Sequence, residues 1–185
     1  MTHSLYHRYA MPTSAESNFN VLVEKVSVAG LVQYCPTSDA MPEFQAVLRA
    51  YGLSLPDPVR VISAIGLHVL AVAPSRYWVL QTEAGSLAHE VADQGQNDQT
   101  VDLQSSRLVV KLTGLGVADV LSCLVPNDLC GNNFAAGQLL DTLADGIPAT
   151  IWRASDTGVF YAATPLSYAQ DFLSRLPSKR TSAKV

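Results

Sequence analysis

Few side chains in this 185-residue chain have the type and spacing to do chemistry. Gly114-Leu115-Gly116-Val117-Ala118-Asp119 follows an apolar alternating run and opens an amphipathic one, the context in which a glycine-rich turn cradles a pyrophosphate. That fingerprint needs a third glycine or alanine where Asp119 stands, and a carboxylate in the first helical turn repels the anion. The glycines are therefore read as turn formers and Asp119 as a complement to the helix dipole. Acid–base work usually needs a histidine or paired carboxylates held in an apolar pocket. Of the four histidines, His3 and His7 lie in a polar leading segment, His68 interrupts an apolar strand and His89 sits in a short helical stretch. His68 reads as a satisfied or half-exposed core residue before it reads as a base. Asp128, in VPNDLCGNNF, could line a pocket, yet Asp and Asn in a loop equally serve the loop's own backbone. No GxSxG, P-loop or HExxH occurs.

Metal chemistry has no framework either. Cys35, Cys123 and Cys130 are odd in number and widely spaced, with no CxxC pair and no histidine near the last two. Zinc sites draw on close ligand pairs, so free thiols acting as small hydrophobes are the simpler reading. His3 and His7, the one histidine pair at helical spacing, read as accidental in a terminal segment. Trp78 and Trp152 each fall in an apolar strand, where aromatics serve the core, or an interface when exposed. No catalytic, cofactor or metal residue is assigned from this pattern.

Composition narrows the class. Hydrophobic residues make up 48% and charged residues 15%, with a mean hydropathy of +0.17, against about 25% charged in an ordinary soluble domain. Disorder is excluded, because disordered chains have the opposite balance. The longest uncharged stretch, Val61 to Ser75, has 15 residues between Arg60 and Arg76, short of the roughly 20 apolar residues a spanning helix requires. No secretory apolar run stands near the start, so the cytoplasm is the expected compartment. Four of the twelve basic residues (Arg175, Lys179, Arg180, Lys184) fall at the C-terminal end, which leaves 8 basic against 16 acidic residues before them. An acidic body is a poor partner for nucleic acid. The remaining inference is a soluble protein with apolar surface to cover, hence a partner.

The elements that must position these residues are legible from periodicity. Asn20 to Tyr34 reads as strand broken near Gly30. Met41 to Tyr51 reads as a helix with Phe44, Val47, Leu48 and Tyr51 on one face, Pro42 in its first turn and Gly52 past its end. Val59–Ile65, Leu67–Ala73 and Tyr77–Thr82 follow as strands, then a short helix over Leu87–Ala92 with Ser86 as its cap. After the polar DQGQNDQ the order repeats. Arg107–Thr113 reads as a strand covered on one side by Leu108, Val110 and Leu112, followed by a helix burying Val117, Val120, Leu121 and Leu124. Strands are expected over Gly137–Leu143, Ile147–Arg153 and Val159–Ala163. A last helix is expected to be capped by Thr164, with Pro165 first and Leu166, Ala169, Phe172, Leu173 and Leu176 inward. The expectation is an α+β fold of two small sandwich, ferredoxin-like halves, with mixed or antiparallel sheets and helices on one face. The divisions are an N-terminal tail (1–19), an N-terminal subdomain (20–95), a C-terminal subdomain (96–176) and a basic tail (177–185).

Within the second half, Thr113-Gly114, Pro126-Asn127-Asp128-Leu129, Phe134 to Gly137 and Trp152-Arg153 occur in that order before a final TPLSYAQDFLSRL. Together with LSLPDPVRV and VAPSRYWVL upstream, they resemble the gamma subunit of heterotetrameric sarcosine oxidase, from roughly Leu53 to Leu176. Ala73 stands where that family often has glycine, and Ser75-Arg76 replace its usual acidic pair. The resemblance implies a relationship to the folate-binding domain of the glycine cleavage aminomethyltransferase. It also implies a non-catalytic chain, with FAD, FMN, NAD, tetrahydrofolate and zinc held by alpha, beta and delta partner subunits. Two other readings stay open. One is a stand-alone folate-binding one-carbon transferase with Asp128 as polar anchor. The other is a module that senses a small ligand between its halves.

Overall fold

A computed structural model of the chain describes residues 20–94, 99–155 and 157–176. Its elements are β1 (Leu22–Lys25), β2 (Gly30–Tyr34), α1 (Met41–Ala50), β3 (Val61–Ala64), β4 (Leu67–Ala73), β5 (Arg76–Gln81) and α2 (Leu87–Gln94). Then come β6 (Thr100–Asp102), β7 (Arg107–Thr113), α3 (Val117–Leu124), β8 (Leu139–Ala144), β9 (Ile147–Ser155), β10 (Val159–Pro165) and α4 (Ala169–Arg175).

The strands form two five-stranded sheets, ordered β3-β4-β5-β2-β6 and β8-β9-β10-β7-β1, in which every pairing is antiparallel. The orders correspond term by term. In each sheet a three-strand meander lies beside the strand that precedes a helix, and a short edge strand completes the row. The edge strands are exchanged: β1 pairs with β7 and β6 pairs with β2.

Period-two alternation gives each sheet two buried faces, and the core has three layers as a result. Tyr34, Val69, Tyr77 and Val79 pack beneath Phe44 and Leu48 of α1 and Leu87 and Val91 of α2. Val110, Leu112, Ile151 and Phe160 pack beneath Val117, Val120 and Leu121 of α3 and Phe172 and Leu176 near the C-terminal helix. Between the sheets lies a middle layer of Leu31, Leu70, Trp78, Leu80, Val109 and Trp152. The molecule is an α/β/β/α stack, with helices on one face of each sheet and the other sheet on its opposite face. The second face of β7 is therefore covered: Val109 is 2% exposed against the facing sheet.

Local signals explain most boundaries. Pro42 stands in the first turn of α1, and Gly52, at φ +69°, returns its N–H to Arg49 O while Leu53 bonds Leu48 O. The C-terminal helix begins later than its signals suggest. Thr164 and Pro165 continue β10 opposite Leu108 and Arg107, and the Thr164 hydroxyl donates to Pro148 O at 2.8 Å. A 3-10 turn, Leu166–Tyr168, then precedes α4, and Leu166 is exposed. Ser86 likewise gives its hydroxyl to side chains. The first turn of α2 is held by buried Gln81, whose Oε1 accepts from Ala88 N at 3.3 Å while its Nε2 donates to Glu83 O at 2.8 Å.

Candidate functional site

Of the residues singled out for chemistry, Asp119, Asp128 and Cys130 come together and the others stand apart, most of them tied into the fold. His68, on the middle-layer face of β4, is 4% exposed. Its Nδ1 shares a hydrogen with Ser63 Oγ at 2.8 Å, and its ring lies 4.7 Å from Tyr161 and 5.9 Å from Trp152. Burial, aided by the Lys111 charge, pushes its pKa down to about 4. A neutral imidazole held among aromatic rings is a packing group at ordinary pH.

Asp128 folds back on its own loop. Its Oδ1 accepts from Cys130 N at 2.9 Å and its Oδ2 from Asn133 Nδ2 at 2.5 Å. The backbone bond first, and the Asn133 bond next, hold its carboxyl below the usual carboxylate range. Asp119, in the first turn of α3, accepts from the Cys130 thiol at 3.4 Å. Gly116 takes φ +86° at the helix start, and Gly114, at φ +111°, passes so close to Asn20 that a β-carbon there would overlap the Asn20 carbonyl oxygen. The glycines thus turn the chain against the segment that leads into β1.

Cys35 and Cys130 are partly buried and Cys123 is exposed, all three as free thiols. His89 is exposed and pairs with Asp93 at 3.5 Å. Among the described residues no three His, Cys, Asp or Glu side chains gather as a metal site, and no helix is long and apolar enough to cross a membrane. His3, His7 and the tail from 177 onward lie outside the described residues. Arg175, first of the C-terminal basic residues, bonds Asp145 at 2.6 Å.

Both tryptophans are buried in the middle layer. Trp152 stacks on Tyr161 at 5.3 Å and 8°, and its indole N–H meets no acceptor among the described residues. Trp78 donates to Gln33 Oε1 at 3.1 Å and carries the Arg107 guanidinium 5.4 Å above its ring.

Two clusters were not apparent from residue types alone. Tyr51, at the end of α1, donates to Glu90 Oε1 at 2.5 Å, and Ser86 Oγ donates to the same oxygen at 2.7 Å. The Tyr51 bond first, and the Ser86 bond next, lower the Glu90 pKa, while Glu90 raises that of Tyr51. This latch joins the two helices on one sheet, and the helical spacing of Ser86 and Glu90 was its only sequence signal. Arg153 is the second. Its Nη1 reaches Phe134 O at 2.8 Å and Gly131 O at 3.3 Å, and its Nε reaches Ser155 O at 3.3 Å. Its donors hold a 3-10 turn, Gly131–Phe134, against the sheet.

One end of the molecule differs from the rest. Ile65, at the β3–β4 turn, is 88% exposed and Leu115, at the β7–α3 turn, is 81% exposed, the two highest values among the large apolar side chains of the described residues. Ile65 borders a concavity with Ser155 and Val159, and Leu115 borders another with Thr157 and Gly158. The two apolar tips therefore flank the same β9–β10 turn.

No family model matches the chain, and no curated protein matches it by sequence. Solved structures do share its fold. One is a chain of "Heterotetrameric Sarcosine Oxidase from Corynebacterium sp. U-96 in complex with pyrrole 2-carboxylate". It has a TM-score of 0.73 and 23% identity over 89% of this chain and 87% of that one. Another is the glycine cleavage system aminomethyltransferase T from Bartonella henselae, with a TM-score of 0.59 and 18% identity over 86% of this chain. The present chain spans 46% of that protein's length. At these identities the likeness establishes the fold.

Proposed function

We propose that the chain is a non-catalytic, gamma-type subunit of a cytoplasmic flavin-dependent oxidase that demethylates sarcosine to glycine and passes the one-carbon unit to tetrahydrofolate. On this reading alpha, beta and delta subunits hold FAD, FMN, NAD, tetrahydrofolate and zinc, and this chain holds its partners in place. The observation that carries the reading is the apolar pair Ile65 and Leu115, projecting on either side of one turn. Isolated exposed apolar residues need no explanation, but paired tips in a chain with only 15% charged residues suit a buried contact. The four-subunit assembly named for the Corynebacterium structure supplies a precedent for a chain of this fold within an oxidase complex.

Co-expression with the alpha, beta and delta chains of a heterotetrameric sarcosine oxidase tests the proposal. The chain is expected to enter the complex and to be more soluble with its partners than alone. A monodisperse monomer that stays apart from them contradicts it. Titration of tetrahydrofolate into the isolated chain is expected to give no binding heat. A saturable signal would make the chain a folate-binding transferase in its own right.

A further inference from the structure

At the end of the middle layer remote from the β9–β10 turn, polar residues of both sheets meet. Arg76 and Trp78 of β5, Arg107 at the start of β7, Asp141 of β8 and Thr150 of β9 line a cleft of about 250 Å³. Alternation along β5 places Arg76 on the face that carries Trp78 and Leu80, and alternation along β7 places Arg107 with Val109. Both guanidinium side chains therefore rise from the surfaces that face each other.

Arg107 is the unusual member. Its Nε is buried and meets no acceptor among the described residues, and no carboxylate pairs with it or with Arg76 there. A desolvated guanidinium N–H without a partner is costly, and structures avoid leaving one. Beneath it the Trp78 ring is fixed by its own bond to Gln33 and offers a π-face to the cation. The guanidinium is thus held at the wall of a cleft, over the Trp78 ring and with no carboxylate beside it among the described residues. A carboxylate is the group its planar donor fork matches.

We propose that this cleft binds a small carboxylate between the guanidinium groups of Arg107 and Arg76, which both line it. Asp141, whose carboxylate accepts from Thr150 Oγ1 at 2.8 Å, sets the limit on charge. Two guanidinium groups and one carboxylate leave the lining with a single net positive charge, so a monoanion is favoured over a dianion. The same carboxylate accommodates an ammonium on the ligand, which makes an α-amino acid acceptable. A cleft smaller than ordinary drug-sized pockets restricts the ligand to few heavy atoms. This inference is independent of the partner-subunit reading, because Arg107 lies at the opposite end of β7 from Leu115.

The test is NMR of the ¹⁵N-labelled full chain at constant ionic strength, following the Arg Nε–H and Trp Nε1–H signals with acetate, glycine and inorganic phosphate as probes. The Arg107 signal is assigned by its loss in Arg107→Gln. Acetate and glycine are expected to shift the Arg107 and Trp78 signals saturably, with phosphate weaker than either. Arg76→Gln should weaken binding by about tenfold, as loss of one charge-assisted contact does. Asp141→Asn should remove any preference of glycine over acetate. Arg107→Lys, which keeps the charge but not the fork, should fold and lose saturable binding, followed through Trp78. Shifts that grow linearly with each probe, that survive Arg107→Lys, or that are largest with phosphate overturn the proposal.

Discussion

The guanidinium of Arg153 donates to the main-chain carbonyl of Phe134 at 2.8 Å, across 19 residues, while lying 5.7 Å over the Phe160 ring. Phe134 in turn stacks on Phe160 at 6.2 Å and 12°. The Phe134–Gly137 segment and the Trp152-Arg153 pair, separate features in the sequence, are therefore two sides of one structural clamp. Arg153→Lys keeps the charge but loses the fork that serves Gly131, Phe134 and Ser155. It is expected to cost about 2 kcal/mol of stability, read as a lower urea midpoint at unchanged slope.

Glycines that look alike in the sequence separate in their consequences. Gly114 combines φ +111° with the Asn20 carbonyl against its α-carbon, whereas Gly158, at φ +75°, has open space where a β-carbon would stand. Gly114→Ala should destabilise by more than about 3 kcal/mol and release the approach to β1, since strain and overlap add. Gly158→Ala should cost only about 1 kcal/mol. Thermal melts of the two variants side by side measure the difference.

His68 makes stability depend on pH with a definite sign. Its pKa is about 4 in the fold and about 6.5 when unfolded, so below pH 6.5 the unfolded chain takes up a proton that the folded one refuses. Its contribution is fully present above about pH 6.5 and is lost progressively down to about pH 4. The loss totals about 3 kcal/mol. His68→Phe keeps a ring against Tyr161 and should flatten urea-unfolding free energies across that window. An unchanged pH slope would mean that the folded state already accepts the proton.

Trp152 buries an indole N–H that has no acceptor among the described residues. Trp152→Phe removes that donor together with some volume, and the two effects oppose. The expected loss is under about 2 kcal/mol, below the 3–5 kcal/mol typical of deleting a large aromatic. Equilibrium urea unfolding of the variant reads it.

The sequence carried the elements better than their partners. Met41–Ala50 was legible because Pro42 and Gly52 mark its ends and Phe44 and Leu48 share a face. The exchange of β1 and β6 between sheets was not, because alternation reports which face of a strand is buried and not which strand lies beside it. Thr164-Pro165 carries helix-start signals, but the ladder to Leu108 and Arg107 extends through both residues and delays the helix. Tertiary pairing overrode a local preference there. Asp128 and His68 were each legible in their structural roles. The cleft at Arg107 was invisible, since its walls come from seven strands far apart in the chain.

Docking of the Ile65–Leu115 end onto larger subunits is decided by assembly of surface variants. Ile65→Asp and Leu115→Asp alter residues that are 88% and 81% exposed, so the isolated fold should hold. Mass determination of the complex formed on co-expression with alpha, beta and delta chains should show the wild-type chain incorporated. The double variant should be folded but left out. Incorporation of the double variant at the wild-type level, or failure of the wild-type chain to join any complex, contradicts the account.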